Sequence, residues 1–556
     1  MSTRSQMWER LGDDVDVLVV GGGITGAGVA RDAARRGLRV ALVDMGDLAS
    51  GTSSRSSKLV HGGLRYLETY ELALVFESVS ERRTLLDLAP HLVNPLAFLF
   101  PVYAGSRRNL WTINAGMWVY EGLSLFRSPK KPRRLKRSDV EREEPGLLLD
   151  GLKGAPLYYD CSTDDARLTL ETALDAEAHG AIITTWACIS SFLKDDAGRV
   201  SGAVVRDVLG GGHKEVRAAA VINATGPWTD HTLHMDGRQG PELLRPTKGV
   251  HVVVDAKRLA PRHAVVAFHP DDDRVLFVLP WGERTYIGTT DTDYEGDPAE
   301  VAATREDVDY LLAAANAHFP RAKLGHDDVV STWAGLRPLI APGGGANDVA
   351  ESKVSREHQI VIGNDGLLTV AGGKLTTYRR MAAEAVDSAV QLLKLSGHLS
   401  TDLRDARTDS EPLPGAVGWP VDDDHAEVAR RVERVGAGTL SSEVARHLGD
   451  TYGMRALAIA ERCADDASLA APLVEGRPEI LAQVDWGIDE ELAATVSDIL
   501  IRRTQLFYRA YDQGLEAAAR VADRMAERLG WDEATRQARL DDYAQEVARS
   551  RRWRDG

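Results

Sequence analysis

Hydrophobic positions at the start of the chain follow a strand pattern, then a helical pattern, then a strand pattern again. Val15–Val20 is almost wholly apolar, which is typical of a strand buried in a parallel sheet. Ile24–Arg36 has the period of a helix, and Gly37 is placed to end it. A second apolar run covers Arg39–Val43. This order predicts a βαβ unit.

Two later segments have the same order of strand, glycine turn and helix. Ala218–Asn223 ends before Gly226, and Leu367–Val370 ends before Gly372-Gly373 and a helix predicted to begin near Leu375. Each turn aims backbone N–H groups at whatever lies beyond the strand. We therefore predict that both segments return to the domain that the βαβ unit begins.

Between these two segments the chain is rich in β-branched residues, whereas its last part has a helical pattern. Strand patterns cover HVVVDA, AVVAFHP, RVLFVLPW and RTYIGTTD, which predicts a second sheet. A proline- and glycine-rich linker, PLPGAVGWP, follows Glu411, and beyond it we predict a separate helical domain. One helical face there is predicted to contain Leu492, Val496, Ile499 and Leu500. The last nine residues, ARSRRWRDG, are expected to fray.

Composition and charge narrow the class of protein. The chain has 556 residues, too many for one hydrophobic core, so two or three lobes are expected. A net charge of −16 argues against general nucleic-acid binding. Three scattered cysteines suggest neither a disulfide framework nor a metal site. Without a signal peptide or an apolar run of spanning length, we expect a cytoplasmic protein that is soluble or lies on the inner face of the cell membrane.

The first strand ends in a glycine-rich turn of a kind that binds phosphates. The motif G-x-G-x-x-G permits a tight turn, close approach of a pyrophosphate and close packing of the helix, whose N-terminus offers free N–H groups. The candidate contacts are Gly21, Gly22, Gly23, Ile24, Thr25 and Gly26. Asp44, 18 residues after Gly26, is placed to bind a ribose hydroxyl and disfavours a 2′-phosphate. The unit predicts a dinucleotide site, and a domain built from three pieces suits FAD better than NAD.

Seven motifs occur in an order that resembles one family of flavoproteins. They are GGGITGAGVARDAARRG, GTSSRSSKLVHGGLRYLE, YDCSTDDARL, INATGPW, IGTTDTDY, GLRPL and GGKLTTYRR. Together they resemble the aerobic-type FAD-dependent glycerol-3-phosphate dehydrogenase family, within the D-amino-acid-oxidase-like flavoproteins. The likeness covers about Val15 to Arg380 and continues more loosely through the helical tail, including Arg502-Arg503-Thr504.

The resemblance implies a fold and a division into domains. The fold is α/β, with a glutathione-reductase-like FAD-binding Rossmann domain, a β-sheet substrate lobe of α+β type and an all-α C-terminal domain. The oxidoreductase region would be 1–405, with FAD-binding pieces at about 14–92, 155–240 and 340–400 and substrate pieces at about 93–154 and 241–340. A linker, 406–420, would lead to the helical domain, 421–556.

The resemblance also implies a reaction, the oxidation of sn-glycerol 3-phosphate to dihydroxyacetone phosphate, with electrons passed from noncovalent FAD to a membrane quinone. Three alternatives stay open at this point. The protein could be a glycerol-3-phosphate oxidase that reduces oxygen to hydrogen peroxide, an amine or amino-acid oxidase of the same group, or a non-catalytic scaffold stabilised by FAD. A monomer and a homo-oligomer are both open as well.

The substrate's phosphate calls for more than one cation, because a phosphate monoester carries nearly two negative charges near pH 7. We predict that Arg65, Arg337 and Lys374 hold it, since each follows a glycine-containing turn and lies in a motif that resembles the family's substrate contacts. Tyr66 is a further candidate, although an aromatic residue packed in the core fits as well. Arg55 and Lys58, in the same stretch, are expected to face solvent.

A titratable histidine lies beside these cations. His61 is the predicted catalytic base, because oxidation of the alcohol requires loss of the hydroxyl proton and an imidazole suits that task. The alternative is a histidine that only hydrogen-bonds the flavin or the backbone. His251 competes with His61 as the base and is also a candidate for substrate binding. Arg337 is a second catalytic candidate, as a charge that stabilises the developing alkoxide.

Further polar and glycine positions complete the predicted cofactor contacts. Thr52, Ser53 and Ser57 could contact the FAD phosphates or ring, and helix capping is the alternative. The two later glycine turns contribute Gly226, Gly373, Leu375 and Thr376.

One segment has the sequence features of a membrane-surface contact. Residues 109–126, from Asn109, are apolar and contain two tryptophans, and seven cations follow within Arg127–Arg137. An apolar aromatic helix beside a cationic cluster is typical of attachment to anionic lipid. A buried helix and a solvated basic loop are the alternatives. We expect the segment Asn109–Arg137 to contact the membrane, because a quinone acceptor requires access to the bilayer.

Overall fold

The computed structural model describes residues 3–12, 14–64, 71–106, 109–125, 127–341, 357–399 and 402–555. Its strands are β1 (Val15–Val20), β2 (Val40–Val43), β3 (Leu59–Val60), β4 (Val93–Leu99), β5 (Val102–Tyr103), β6 (Arg133–Leu135), β7 (Leu152–Thr163), β8 (Ile182–Thr184), β9 (Ala187–Lys194), β10 (Val200–Asp207), β11 (His213–Asn223), β12 (Leu244–Asp255), β13 (Ala264–Phe268), β14 (Val275–Trp281), β15 (Arg284–Gly288), β16 (Thr292–Asp293), β17 (Val329–Ile340), β18 (His358–Ile362) and β19 (Leu368–Gly372).

The helices are α1 (Arg4–Arg10), α2 (Ile24–Arg36), α3 (Leu72–Leu88), α4 (Leu110–Leu123), α5 (Arg137–Glu143), α6 (Asp165–Ala178), α7 (Thr229–Met235), α8 (Arg305–His318), α9 (Tyr378–Leu395), α10 (His425–Val435), α11 (Ser442–Tyr452), α12 (Ala456–Asp465), α13 (Ala482–Glu490), α14 (Leu506–Arg509), α15 (Leu515–Leu529) and α16 (Glu533–Arg551). A π-helical segment covers Asp498–Arg503. Short 3₁₀ turns that border the site cover Thr52–Ser54, Gly226–Trp228 and Leu375–Thr377.

The central strands of the first sheet are parallel and come from distant parts of the chain, whereas β18, β10 and β9 join it by antiparallel pairing. β1 lies between β11 and β2, β2 pairs with β8, and β11 pairs with β19, all in parallel. Helices α6 and α9 pack against α2, and the β1 residues Val17, Leu18 and Val19 are fully buried, as expected for a strand covered on both faces. The prediction that two later segments return to the first βαβ unit is therefore confirmed.

The second sheet is mainly antiparallel and forms the other wall of the site. Its strands follow the order β16-β12-β15-β14-β13-β4-β7-β3, and β17 pairs with β12 along almost its whole length. The strands predicted within residues 251–291 are β12 to β15. The α/β fold class, with a dinucleotide-type sheet, a second sheet and a helical tail, is confirmed.

The helical tail is less separate than its sequence suggests. Helices α10 to α13 surround a hydrophobic core of their own, but residues from Val496 to Val547 share a core with one face of the second sheet. The predicted common helical face is wrong for Leu492, which precedes the π-helical segment with a positive φ of 60° and packs in the core of the first sheet. Val496, Ile499 and Leu500 do pack together.

The C-terminal residues do not fray within the part described. The Trp553 ring is only 3% exposed and packs in the core on the other face of the second sheet. Arg554 donates from Nη2 to the Val329 carbonyl at 2.7 Å, and Arg549 and Arg552 both pair with Glu300. The expectation that the C-terminus frays is therefore wrong, because Trp553 packs in the core and the arginines around it have partners elsewhere in the chain.

The predicted membrane segment contains a surface helix with apolar side chains on both its buried and its exposed sides. Within α4, Met117 and Tyr120 are buried, whereas Trp111 is 73% exposed and Trp118 and Val119 are also exposed. Leu125 follows the helix and is exposed too. Of the helices in the described ranges, none combines the length and apolar character needed to cross a bilayer.

Candidate active site

A cavity of about 740 Å³ lies between the two sheets. Its lining combines the ends of β1, β2, β11 and β19 with the 52–61 segment and the β17 residues 335–339. These segments are far apart in the sequence and meet because β1, β11 and β19 are neighbours, so their carboxyl ends lie at one edge of the sheet. The volume is that of a site for an organic cofactor or a ligand of comparable size.

The glycine turn after β1 forms the floor of the cavity. Gly21 has a φ of 108°, and Gly23, Ile24 and Thr25 line the cavity at the N-terminus of α2. A Cβ atom on Gly26 would lie 1.8 Å from the Gly21 carbonyl oxygen, so only glycine lets α2 approach the turn this closely. Of the predicted turn contacts, Gly22 and Gly26 are not part of the lining.

Asp44 lies at the end of β2, on the cavity wall. Its carboxylate accepts hydrogen bonds from the backbone N–H of Gly22 at 2.5 Å and of Gly46 at 2.8 Å. Removal from water raises the pKa of Asp44 to about 6, and these two hydrogen bonds limit the rise. The acid therefore braces the glycine turn as well as facing the cavity, and its ribose contact stays a prediction.

The 52–61 segment connects the two sheets across the cavity. The Ser53 hydroxyl accepts a hydrogen bond from the Ile24 N–H at 2.9 Å, which ties the segment to the first turn of α2. Thr52 donates to the Leu336 carbonyl at 2.6 Å, which ties the segment to β17. Thr52, Ser53 and Ser57 all line the cavity.

Two basic residues of the same segment do not face solvent as expected. Lys58 is only 2% exposed, and its Nζ lies 2.6 Å from an oxygen of the buried Asp165 carboxylate. Arg55 is half-buried and lines the cavity. The expectation is wrong for Lys58 because its partner lies 107 residues away, where no local pattern reveals it.

Two of the three predicted phosphate-binding cations line the cavity. Arg337 on β17 donates to Asp291 at 2.9 Å, to the Thr289 hydroxyl at 3.2 Å and to the Thr290 carbonyl at 3.1 Å. Lys374 follows β19 at the start of the 3₁₀ turn that also places Leu375 and Thr376 in the lining, beside Gly373. The other predicted contacts, Arg65 and Tyr66, lie outside the described residues.

The two candidate histidines lie in different surroundings. His61 lines the cavity, and its backbone N–H donates to the Thr376 hydroxyl at 3.2 Å. His251 is buried against the Trp333 ring at a centroid distance of 4.7 Å, and its Nε2 lies 2.9 Å from the Ser57 hydroxyl. Burial, with Arg337 and Lys58 nearby, holds the pKa of His251 well below its usual value, so this imidazole is neutral near pH 7.

The pH dependence of catalysis is expected to differ according to which of the two histidines is the base. If His61 is the base, His61→Asn is expected to lower kcat about 10²- to 10⁴-fold and to remove the fall of kcat/KM on the acid side. His251→Asn is expected to keep that acid limb, because the pKa of His251 lies below it. Steady-state kinetics of both variants from pH 5 to 9, with flavin content as the control, would show which histidine is the base. Loss of the acid limb in His251→Asn alone would reverse the assignment.

Several residues of the site were missed by sequence reasoning. Asp291 anchors Arg337, and its position within IGTTDTDY was the available signal. Trp228, in INATGPW, and Cys188 also line the cavity, and the cysteine carries no sequence signal for this position. In the part of the chain that the structure describes, no group of histidine, cysteine and acidic side chains is arranged to hold a metal ion.

Comparisons with known proteins agree with this geometry. Residues 16–379 match the family described as FAD dependent oxidoreductase, and residues 406–536 match the C-terminal domain of alpha-glycerophosphate oxidase. Glycerol-3-phosphate dehydrogenase 2 of Mycobacterium tuberculosis is 40% identical over 550 residues, which is 98% of this chain and 90% of that protein. The aerobic glycerol-3-phosphate dehydrogenase of Staphylococcus haemolyticus is 37% identical, over 96% of this chain and 94% of that protein.

A solved structure extends the similarity to three dimensions. The glycerol-3-phosphate dehydrogenase of Bacillus halodurans, complexed with FAD, superposes with a TM-score of 0.80 at 33% identity, over 98% of this chain and 97% of that one. An L-alpha-glycerophosphate oxidase from Mycoplasma pneumoniae, with a TM-score of 0.54 at 18% identity over 72% of this chain and 99% of that one, shares the fold. The chain therefore belongs to the FAD-dependent glycerol-3-phosphate dehydrogenase family of oxidoreductases.

Proposed function

We propose that this protein oxidises sn-glycerol 3-phosphate to dihydroxyacetone phosphate with FAD and passes the electrons to a membrane quinone. The observation that supports this most is the convergence of Arg337, Lys374 and His61 on the cavity that the dinucleotide-type glycine turn also lines. Cations suited to a phosphate and a candidate base for an alcohol proton then lie around one space.

The residues of the cavity fit FAD. The helix N-terminus at Gly23 and Ile24 suits a pyrophosphate, and the close approach of Gly26 to Gly21 keeps the turn tight. The two later turns add Gly226 and Gly373 to the same lining. When bound there, FAD supplies a two-electron acceptor for the hydride that leaves C2 of the substrate.

The chain's own residues then have three tasks. Arg337 and Lys374, together with the predicted contacts Arg65 and Tyr66, would hold the phosphate and orient the C2 hydroxyl. His61 would take the hydroxyl proton as the hydride leaves. His251 would stay neutral and hold Ser57, so that its place in substrate binding is as a hydrogen-bonding group and not as a cation.

A surface patch supports the membrane part of the proposal. Exposed Trp111, Trp118 and Val119 on α4 lie beside the basic segment that follows, and Arg134 contacts the Trp111 ring at 5.3 Å. Helix α3 contacts α4 and exposes Leu72 and Phe76. Apolar side chains with adjacent cations suit the interface of an anionic bilayer, where a quinone would be within reach.

Anaerobic mixing tests the core of the proposal. We expect glycerol 3-phosphate, added to the FAD-loaded protein without oxygen, to bleach the flavin absorbance within seconds, whereas glycerol and amino acids leave it unchanged. Because a reduced flavin reports the half-reaction alone, the result does not depend on the acceptor. A flavin that stays oxidised with glycerol 3-phosphate would refute the proposed substrate.

The acceptor and the membrane contact need separate measurements. After anaerobic reduction, a quinone analogue is expected to reoxidise the flavin much faster than oxygen does, and rapid hydrogen peroxide formation would favour the oxidase instead. Vesicles rich in anionic lipid are expected to co-sediment the protein. A Trp111→Ser/Trp118→Ser variant that binds them equally well would contradict the role of α4.

A further inference from the structure

Three charged residues form a buried cluster between the helical tail and the first sheet. The Asp47 carboxylate is fully buried. It accepts hydrogen bonds from both terminal nitrogens of the Arg503 guanidinium, from Nη1 to Oδ2 at 2.5 Å and from Nη2 to Oδ1 at 3.0 Å. Arg502 donates from Nε to the same carboxylate at 2.5 Å. Burial raises the pKa of Asp47, but Arg503 and Arg502 more than reverse this, so the carboxylate is charged at neutral pH.

Neighbouring groups also contact both arginines of the cluster. Arg502 also donates to Asp498 at 2.7 Å, and Asp498 accepts from the Trp186 indole at 3.1 Å. Arg503 donates to the Glu491 carbonyl at 2.5 Å. A buried bidentate pair fixes geometry as well as charge.

The cluster holds the chain segment that shapes the cofactor cavity. Asp47 belongs to the turn after Asp44, and within that turn the Ala49 N–H donates to the Gly22 carbonyl at 3.0 Å. The Gly46 carbonyl accepts from the Trp186 N–H at 2.7 Å, so the Trp186 that contacts Asp498 also contacts the turn. Asp47, Arg502 and Arg503 themselves are not part of the cavity lining.

We infer that Asp47, Arg502 and Arg503 are positioning residues for the cofactor. Through them, the helical tail holds the 44–51 turn in the shape that presents Asp44 and the glycine turn to FAD. The affinity for FAD then depends on an ion cluster that does not touch the cavity. This inference rests on the FAD binding of the family and not on the proposed substrate.

The charge of Asp47 and the bidentate geometry of the Arg503 guanidinium both matter for this positioning role. Loss of the Asp47 charge leaves two buried guanidinium groups without a full counter-charge, a strongly unfavourable state that a shift of the turn would relieve. Lysine in place of Arg503 would keep the charge but lose the two-point grip on the carboxylate. Both changes should therefore loosen the turn.

FAD release from the purified holoprotein tests the inference. The variants are Asp47→Asn and Arg503→Lys, and the control is Asp255→Asn. Asp255 pairs with Arg284 at 2.8 Å, and the same guanidinium donates to the Arg509 carbonyl, so the control also loosens a buried contact between the tail and the body of the protein. Asp255 does not line the cavity. The readouts are the Kd of FAD by recovery of free flavin fluorescence and the melting temperature of the protein.

We expect each cluster variant to raise the Kd of FAD by at least about tenfold. Asp255→Asn should change it by less than about twofold even if it lowers the melting temperature. Two results would overturn the inference: FAD affinity like the wild type in Arg503→Lys, or an equal loss of affinity in Asp255→Asn. If Asp47→Asn does not fold, the milder Arg503→Lys carries the test alone. A failure of glycerol 3-phosphate to reduce the flavin would leave this measurement untouched.

Discussion

Arg337→Ala is expected to lower kcat/KM for glycerol 3-phosphate by about 10³-fold while FAD stays bound, as removal of one charged stabilising group from an active site does. This corresponds to about 4 kcal/mol of transition-state stabilisation. The guanidinium lines the cavity and is held by Asp291, Thr289 and Thr290, so it is already in place before substrate arrives. Steady-state kinetics and the flavin spectrum of the purified variant measure both parts of the prediction.

Arg245→Ala is the matched control for this prediction. Arg245 has the same 19% side-chain exposure as Arg337, and it pairs with Asp293 as Arg337 pairs with Asp291. Unlike Arg337, it does not line the cavity. We expect a change below about threefold there. A fall in kcat in Arg337→Ala would support stabilisation of the alkoxide, and a rise in KM alone would support phosphate binding. Retained activity would remove Arg337 from the site.

The features of the first sheet that could be predicted are those that depend on local sequence. Helix α2 has the predicted bounds, Ile24–Arg36, because a glycine stands on each side of it and Gly37 takes the left-handed conformation that ends a helix. The three strand–glycine–helix segments also meet as predicted, since the parallel strands of one sheet bring their carboxyl ends to one edge. Periodicity and glycine positions are local properties, so a sequence displays them directly.

Contacts between distant residues were not available from such patterns. Lys58 was expected to face solvent, yet it is buried and pairs with Asp165. Asp47 meets Arg503 across 456 positions, and the basic C-terminus hides the buried Trp553. A lone charge in a sequence is most simply interpreted as solvated, and only tertiary structure shows which charges are paired. For this reason the chemistry of the site was easier to predict than the residues that position it.

Gly26→Ala is expected to abolish or strongly weaken FAD binding and to lower the free energy of unfolding by about 3 kcal/mol. The new methyl group would lie 1.8 Å from the Gly21 carbonyl oxygen, which is a backbone atom and cannot rotate away. Either α2 must move off the sheet or the turn must open. Both responses displace Gly23, Ile24 and Thr25, at the N-terminus of α2, from the cavity wall.

Gly116→Ala is the control, because it makes the same substitution within a helix where the added Cβ meets no atom within 4 Å. That variant should be neutral or up to about 1 kcal/mol more stable, since alanine favours helix more than glycine does. Chemical denaturation and the flavin content after purification measure both variants. If Gly26→Ala purified with a full complement of FAD, close packing of α2 on the turn would not be what prepares this cavity for the dinucleotide.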